Sequence, residues 1–239
     1  MHDDMATMAA GAAEEAAACI RQAVADRGTA RAMFATGNSQ LEFVDALRGI
    51  DVPWGAVVAF HMDEYVGIGV EHPASFQRWI RQRIPAQVVH LIDGLTTPEV
   101  ECNRYAELLA EDALDLCCLG IGENGHLAFN DPPVADFEDP VDVKVVELDR
   151  ACRMQQVGEG HFPDVDAVPT HAITVTIPAL LRAGLVIACV PERRKAVPVR
   201  DALEGPLTTA CPASALRTAN ATVHLDHESA SLLGGQAGS

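Results

Sequence analysis

The sequence predicts an α/β fold: a single domain built on one mostly parallel, doubly wound sheet with helices on both faces, in a Rossmann-like arrangement. Three observations carry this reading. Short apolar runs alternate with helix-forming stretches along all 239 residues. Several of those runs end in glycines or clustered polar residues, as strands do when they deliver side chains to a sheet edge. The apolar share is 49% and the charged share 21%, enough to build one substantial core, and no linker-like segment divides the chain. The domain is therefore expected to run over residues 1–239, with loose ends at about 1–4 and 234–239.

Residues 5 to 27 are rich in alanine with Glu14, Glu15 and Arg21 interleaved, which favours a helix that stops at Arg27-Gly28. Met33-Phe34-Ala35 reads as a strand, Thr36-Gly-Asn-Ser-Gln40 as a turn, and Ser39 as the N-cap of a helix to about Arg48. Ala56-Val-Val-Ala-Phe60 is the next strand. Pro73 is expected to open a helix over 73 to 83, followed by a short strand, Val88-Val-His-Leu91, and a helix over 99 to 112. Further strands are expected at 113 to 119, 143 to 148, 185 to 190 and 221 to 225, with helices at roughly 192 to 203 and 212 to 217 between the last ones.

A formal charge of −17 repels polyphosphate backbones and anionic lipid, so neither nucleic acid nor a membrane surface is an expected partner. The one dense basic cluster, Arg193-Arg194-Lys195, suits a single small anion or a solvated helix start. Seven cysteines, an odd number without a C-x-x-C pair, fit a reduced compartment. The segment His2-Asp3-Asp4 does not begin a basic-then-apolar leader, and no apolar window reaches bilayer length, so a soluble, cytoplasmic chain is expected.

The most informative stretch is Leu119-Gly-Ile-Gly-Glu-Asn-Gly-His-Leu-Ala-Phe-Asn-Asp-Pro132. An apolar strand stops in Gly120, Gly122 and Gly125, then offers Asn124, His126 and Asp131 within eight residues. His126 can exchange a proton near neutral pH, and Asp131 can orient it or act as a second acid or base. Two more strand ends are polar. Thr36-Gly37-Asn38-Ser39 is a glycine turn before a helix and suits phosphate or carboxylate, although many such turns only connect elements. In His61-Met62-Asp63-Glu64-Tyr65, two carboxylates follow an apolar strand; extended neighbours diverge, so one is expected to face a cleft and the other to support structure.

Other chemistries fit poorly. Ser39 lies between asparagine and glutamine, not in a G-x-S-x-G elbow. Gly120-x-Gly122-x-x-Gly125 matches a dinucleotide fingerprint, but the residues that follow break off before a long helix can begin. His61 and His72 lack the companions of a metal site. Neither a metal nor a cofactor is expected.

Taken together, Ala35-Thr-Gly-Asn-Ser39, Phe60-His-Met-Asp-Glu-Tyr-Val-Gly67, Gly120 through Pro132, and His171-Ala-Ile-Thr-Val175 resemble the glucosamine-6-phosphate deaminase/isomerase family in order and spacing. The resemblance runs from about residue 30 to 232 and takes in Lys195-Ala196 and Glu204-Gly205. The wider superfamily includes 6-phosphogluconolactonases, which share the first turn and the glycine–histidine loop. Tyr65 after the acidic pair, and Leu127-Ala-Phe-Asn130 after the histidine, favour the deaminase branch. Lactone hydrolysis and non-catalytic sugar-phosphate sensing are the alternatives.

The resemblance implies conversion of glucosamine 6-phosphate to fructose 6-phosphate and ammonia without a cofactor. It implies Asp63 as the base moving a proton between C2 and C1, His126 as the group assisting ring opening, and Asp131, where relatives carry glutamate, as its orienter. Asn124 stands where many members have aspartate. Substrate contacts are expected from Thr36, Gly37, Asn38, Ser39, Glu64, Gly122, Gly125, Arg153 and Lys195. The family's phosphate-binding arginine falls at Gly158, leaving Arg153, Gln155 and Gln156 as candidates to replace it. The region around Asp139 to Lys144 matches the allosteric segment of large deaminases poorly, so no effector is assigned. The expected partner is a hexosamine phosphate, and the reading is compatible with a homo-oligomer.

Overall fold

The first helix, α1 (Met5–Arg27), follows from its alanines: Ala9, Ala12, Ala13, Ala16 and Ala17 are buried and let the helix approach the sheet closely. Asp4 caps it, its carboxylate accepting from the Thr7 N–H at 2.8 Å, and Gly28 ends it in the left-handed conformation at φ 81°. The structure, a computed structural model, describes residues 1–158, 160 and 162–234. The expected loose segment at 1–4 is instead held down. The His2 N–H donates to the Leu225 carbonyl at 2.9 Å and its ring stacks on His224. Of the expected loose C-terminal end, residues 235–239 lie outside the described residues.

Among the described residues the strands are β1 (Ala30–Phe34), β2 (Val57–His61), β3 (Asp63–Tyr65), β4 (Val88–His90), β5 (Leu116–Leu119), β6 (Val143–Glu147), β7 (His171–Val175), β8 (Leu185–Val190) and β9 (Ala221–Leu225). The helices after α1 are α2 (Leu41–Arg48), α3 (Phe76–Arg83), α4 (Pro98–Ala110), α5 (Arg150–Gly158), α6 (Ile177–Leu181) and α7 (Ala196–Glu204). Six strands form one parallel sheet in the order β4-β2-β1-β5-β8-β9. The order reverses between β1 and β5, which opens a crevice at their carboxyl ends.

Alternation along these strands supplies a core on each face. Ala32 and Phe34 of β1, with Leu116 and Cys118 of β5, pack against α1 and α2. Met33, Cys117 and Leu119 face the opposite layer, with Tyr105 of α4 and Val199 of α7. A third cluster joins Tyr65, Phe76, Phe129 and Phe162, with the Tyr65 and Phe129 ring centroids 5.2 Å apart and those of Phe76 and Phe129 5.8 Å apart. Each such buried ring contributes roughly 1.5–3 kcal/mol, so this cluster firmly joins β3, α3 and the loop after β5. All seven cysteines are free thiols; burial pushes Cys117 and Cys189 up to about 12, so both behave as apolar packing groups.

Several expectations need correction. The strand at 143 to 148 does not enter the parallel sheet: β6 pairs antiparallel with β7, and β7 with β3, in a separate three-stranded sheet. Ser39 is not the N-cap of α2, because residues 38–40 form a 3-10 turn and α2 starts after Gln40 without a side-chain cap. Pro73 does not open α3; Ser75 does, its hydroxyl accepting from the Arg78 N–H at 3.3 Å. The segments expected as helices at 192 to 203 and 212 to 217 contain a 3-10 turn at Arg193–Lys195 leading into α7, and a 3-10 helix at Pro212–Thr218.

Candidate active site

Carboxyl ends of β1, β2, β5 and β8 meet around one cavity beside the point of reversal. Thr36, Gly37, Asn38, Ser39 and Gln40 line it after β1, Met62 and Asp63 after β2, Gly120, Ile121, Gly122 and His126 after β5, and Arg194 and Lys195 after β8. Four distant segments therefore converge because each follows a strand of the same parallel sheet.

One side of the cavity joins a glycine turn to a buried lysine. Gly37 adopts φ 101° and turns the chain out of β1 into the 3-10 turn at Asn38–Gln40. Gln40, nearly inaccessible, ties this turn to the end of β8, two strands away: its amide donates to the Cys189 carbonyl at 3.2 Å and to the Ser39 hydroxyl at 3.3 Å. Lys195 is 5% exposed and stands at the cavity wall.

The opposite wall holds His126. The loop folds back on itself so that the His126 Nδ1 lies 2.9 Å from Asp131 Oδ1, and the Asn124 amide donates to the same oxygen at 2.7 Å. The Asn124 carbonyl oxygen accepts the His126 N–H at 3.0 Å, closing a small ring of contacts. Burial alone would raise the Asp131 pKa, but the adjoining His126, through its hydrogen bond and charge, and donors from Asn124 and Cys152 hold it below the usual carboxylate value. A carboxylate on Nδ1 leaves Nε2 as the nitrogen available for proton exchange. Gly122 makes the ring's position accessible, since a Cβ there would lie 2.3 Å from both Cε1 and Nε2. Gly125, at φ 85°, supports the turn.

Asp63 and Glu64 diverge. Asp63 lines the cavity at 7% exposure, and its pKa lies well above 3.8 because burial, then Glu64 and then Asp131 all oppose its charge. Glu64 turns into the protein. Its carboxylate accepts from the Tyr65 N–H at 2.9 Å, the Ser75 hydroxyl at 2.8 Å, the Phe76 N–H at 3.3 Å and the Gln77 N–H at 2.9 Å, which caps α3. Burial nevertheless carries Glu64 up to about 7, against the pull of those donors.

The second sheet aligns the two walls. Asp63 pairs with Thr174 across β3 and β7, while the Thr174 hydroxyl accepts from the Phe129 N–H at 3.2 Å. The Asn130 amide donates to the Leu127 and Val175 carbonyls, each at 2.9 Å. Asp63 and the His126 loop are thus fastened to the same strand. His61 has a supporting place: its Nε2 accepts the Ile92 N–H at 2.8 Å, and burial lowers its pKa to about 3, so it stays neutral.

Of the residues expected to touch a ligand, Thr36, Gly37, Asn38, Ser39, Asp63, Gly122, His126 and Lys195 reach the cavity. Asn124 and Asp131 sit behind His126 and orient it. Gly125 shapes the loop against Cys211, and Glu64 caps α3, so neither lines the wall. Arg153 is turned away as well: its guanidinium donates to the Val165 carbonyl at 2.5 Å, while Gln155 and Gln156 of the same helix line the cavity. Gln156 also accepts the Tyr65 hydroxyl proton at 2.6 Å. The cavity residues outside the expected site set are Ala35, Gln40, Met62, Phe76, Gly120, Ile121, Ala128, Phe129 and Arg194; of these, Phe76 alone lies outside the motifs that the sequence singles out.

Residues 3–225 match the family described as glucosamine-6-phosphate isomerases/6-phosphogluconolactonase. A glucosamine-6-phosphate deaminase of Lactobacillus delbrueckii subsp. bulgaricus is 34% identical over 214 residues, covering 87% of this chain and 89% of the relative. One from Exiguobacterium sibiricum is 36% identical over 211 residues, covering 85% and 81%. The structure of a monomeric glucosamine-6-phosphate deaminase superposes with a TM-score of 0.85 at 28% identity, over 97% of this chain and 98% of that one. The 6-phosphogluconolactonase of Thermotoga maritima shares the fold, with a TM-score of 0.74 at 20% identity over 95% and 96%. With its parallel sheet, its strand-end cavity and a family match spanning nearly its whole length, the chain belongs to the glucosamine-6-phosphate isomerase/6-phosphogluconolactonase family.

Proposed function

We propose that the chain converts glucosamine 6-phosphate and water into fructose 6-phosphate and ammonia. The observation that most supports this reading is a buried carboxylate of raised pKa, Asp63, facing the same cavity as a hydrogen-bonded histidine, a glycine turn and Lys195. Enolisation beside a latent carbonyl needs those parts: a positioned base, a proton carrier for the ring oxygen and an anchor remote from the reacting carbons.

In this reading the turn at 36–40 and Lys195 hold the phosphate. His126, oriented by Asp131, transfers the proton needed to open the ring and expose the C1 aldehyde. Asp63 removes the C2 proton, forming an enolamine, and returns a proton to C1. The resulting 2-imine is hydrolysed by water, releasing ammonia and leaving the 2-ketose phosphate. Asp63 works as a base because its raised pKa strengthens its hold on the C2 proton.

An assay of ammonia release from glucosamine, galactosamine and unaminated hexose 6-phosphates, run beside 6-phosphogluconolactone hydrolysis, tests the proposal. Ammonia from glucosamine 6-phosphate is the expected result. Lactone hydrolysis without ammonia would place the chain in the other branch, and binding without turnover would make it a sensor.

A further inference from the structure

Beside Lys195 a second cation, Arg194, stands at the cavity wall, and the chain invests in holding it there. Arg194 and Lys195 are the two Lys or Arg side chains lining the cavity among the described residues. The Arg194 Nη1 donates to Glu123 Oε1 at 2.9 Å, its Nε to Glu192 Oε2 at 2.5 Å and its Nη2 to Glu192 Oε1 at 3.4 Å. Two carboxylates from different segments thus fix both the position and the plane of the guanidinium.

Glu192 is held in an unfavourable conformation to do this. Its φ of 80° lies in the left-handed region that a residue with a Cβ avoids, and its N–H is fixed by Asp226 Oδ2 at 3.1 Å. This reversal directs the 3-10 turn Arg193–Lys195 so that consecutive cations line one cavity. The side chains of Arg194, Glu123 and Glu192 are 36%, 42% and 40% exposed, and ion pairs that open to solvent return little stability. A strained residue and a double clamp therefore make poor sense as a stabilising device. They make better sense as a device that aims a cation.

We propose that Arg194 binds the substrate phosphate beside Lys195 and the turn at 36–40, with Glu123 and Glu192 as its positioning residues. The proposal rests on the sugar-phosphate reading above and adds a residue to it. A phosphate is rich in acceptor oxygens, and the guanidinium, its charge shared with Glu123 and Glu192, adds to Lys195 a planar fork of N–H donors of the geometry that phosphate oxygens accept. Glu123 lies in the loop that carries His126, so its 2.9 Å pair with Arg194 also links the phosphate end to the proton-transfer end.

Steady-state ammonia release and calorimetric titration with inorganic phosphate test this in the full chain. Arg194→Ala is expected to raise KM for glucosamine 6-phosphate, and to weaken phosphate binding, by about 10- to 100-fold, as loss of a charge-assisted contact should, with kcat falling far less. Arg194→Gln, closer in size, should repeat the effect if the alanine variant folds poorly. Glu123→Gln should raise KM by a smaller factor in the same direction. Unchanged KM and phosphate affinity in Arg194→Ala or Arg194→Gln would overturn the proposal while leaving the deaminase reading intact. If the parent chain releases no ammonia, that reading fails; the phosphate titration still decides, with weaker binding in the variants upholding Arg194 and no binding by the parent chain overturning it.

Discussion

His126 Nδ1 and Asp131 Oδ1 stand 2.9 Å apart within one loop, and the same oxygen accepts the Asn124 amide at 2.7 Å. The short aspartate side chain suffices because the loop curls inward: Val134 and Ala135 N–H groups donate back to the Asp131 carbonyl at 2.9 and 2.8 Å, and Asn130 is tied to Leu127 and Val175.

Replacing Asp131 by asparagine should therefore lower kcat for ammonia release by at least about tenfold, since the imidazole loses the partner that fixes its tautomer and supports its charged form. Thermal unfolding measured alongside should show a folded protein. A kcat unchanged in a folded Asp131→Asn variant would show that His126 needs no orienter.

Asp63 predicts both a mutant effect and a pH profile. Asp63→Asn should lower kcat by at least about a hundredfold with little change in KM, as loss of a general base does. The base acts ionised, and its pKa is raised by burial and by Glu64 and Asp131, so kcat/KM should fall as pH drops through a value above the ordinary carboxylate range. An acid limb near 3.8 would contradict this environment.

Glu64 ties pH to stability with a definite sign. Its pKa rises from 4.5 to about 7 on folding, so the folded protein holds a proton that the unfolded chain releases in that interval. Stability is expected to fall as pH increases from 4.5 to 7, and the raised pKa of Asp63 acts in the same direction. Thermal denaturation across that range should show a smaller fall in Glu64→Gln. Equal slopes in both proteins would remove Glu64 as the source.

Strand ends were legible in the sequence because parallel strands buried on both faces read as apolar runs, and glycines or polar residues mark where they stop; β5 and β8 show this directly, whereas the buried Arg31 interrupts β1 and hid its first three residues. The second sheet was not. Asp63–Tyr65 is three residues long and starts with two carboxylates, and the buried Thr174 breaks any simple alternation in β7. Nor could spacing tell which carboxylate would face the cavity. That follows from the docking of α3, whose first N–H groups need Glu64. Arg153 fails as a ligand for a similar reason: its position on α5 sends the guanidinium to the Val165 carbonyl and brings Gln155 and Gln156 to the wall.

Gly122 offers the sharpest separation of folding from chemistry. A Cβ at this position would lie 2.3, 2.3 and 2.4 Å from Cε1, Nε2 and Cδ2 of His126, so the ring must move for alanine to fit. The Gly122 backbone brackets the same loop, its N–H donating to the His126 carbonyl at 2.9 Å and its carbonyl accepting the Gly125 N–H at 3.0 Å. These bonds leave the ring as the part that yields. Displacing a proton carrier by about 1 Å can cost about a hundredfold in rate, so Gly122→Ala should lower kcat on that scale. The variant should remain folded, because the added methyl group meets a side chain at a cavity edge and not the packed core. Parental kcat in Gly122→Ala would mean that the ring has room to shift without loss, and His126 would then not be the rate-determining proton carrier.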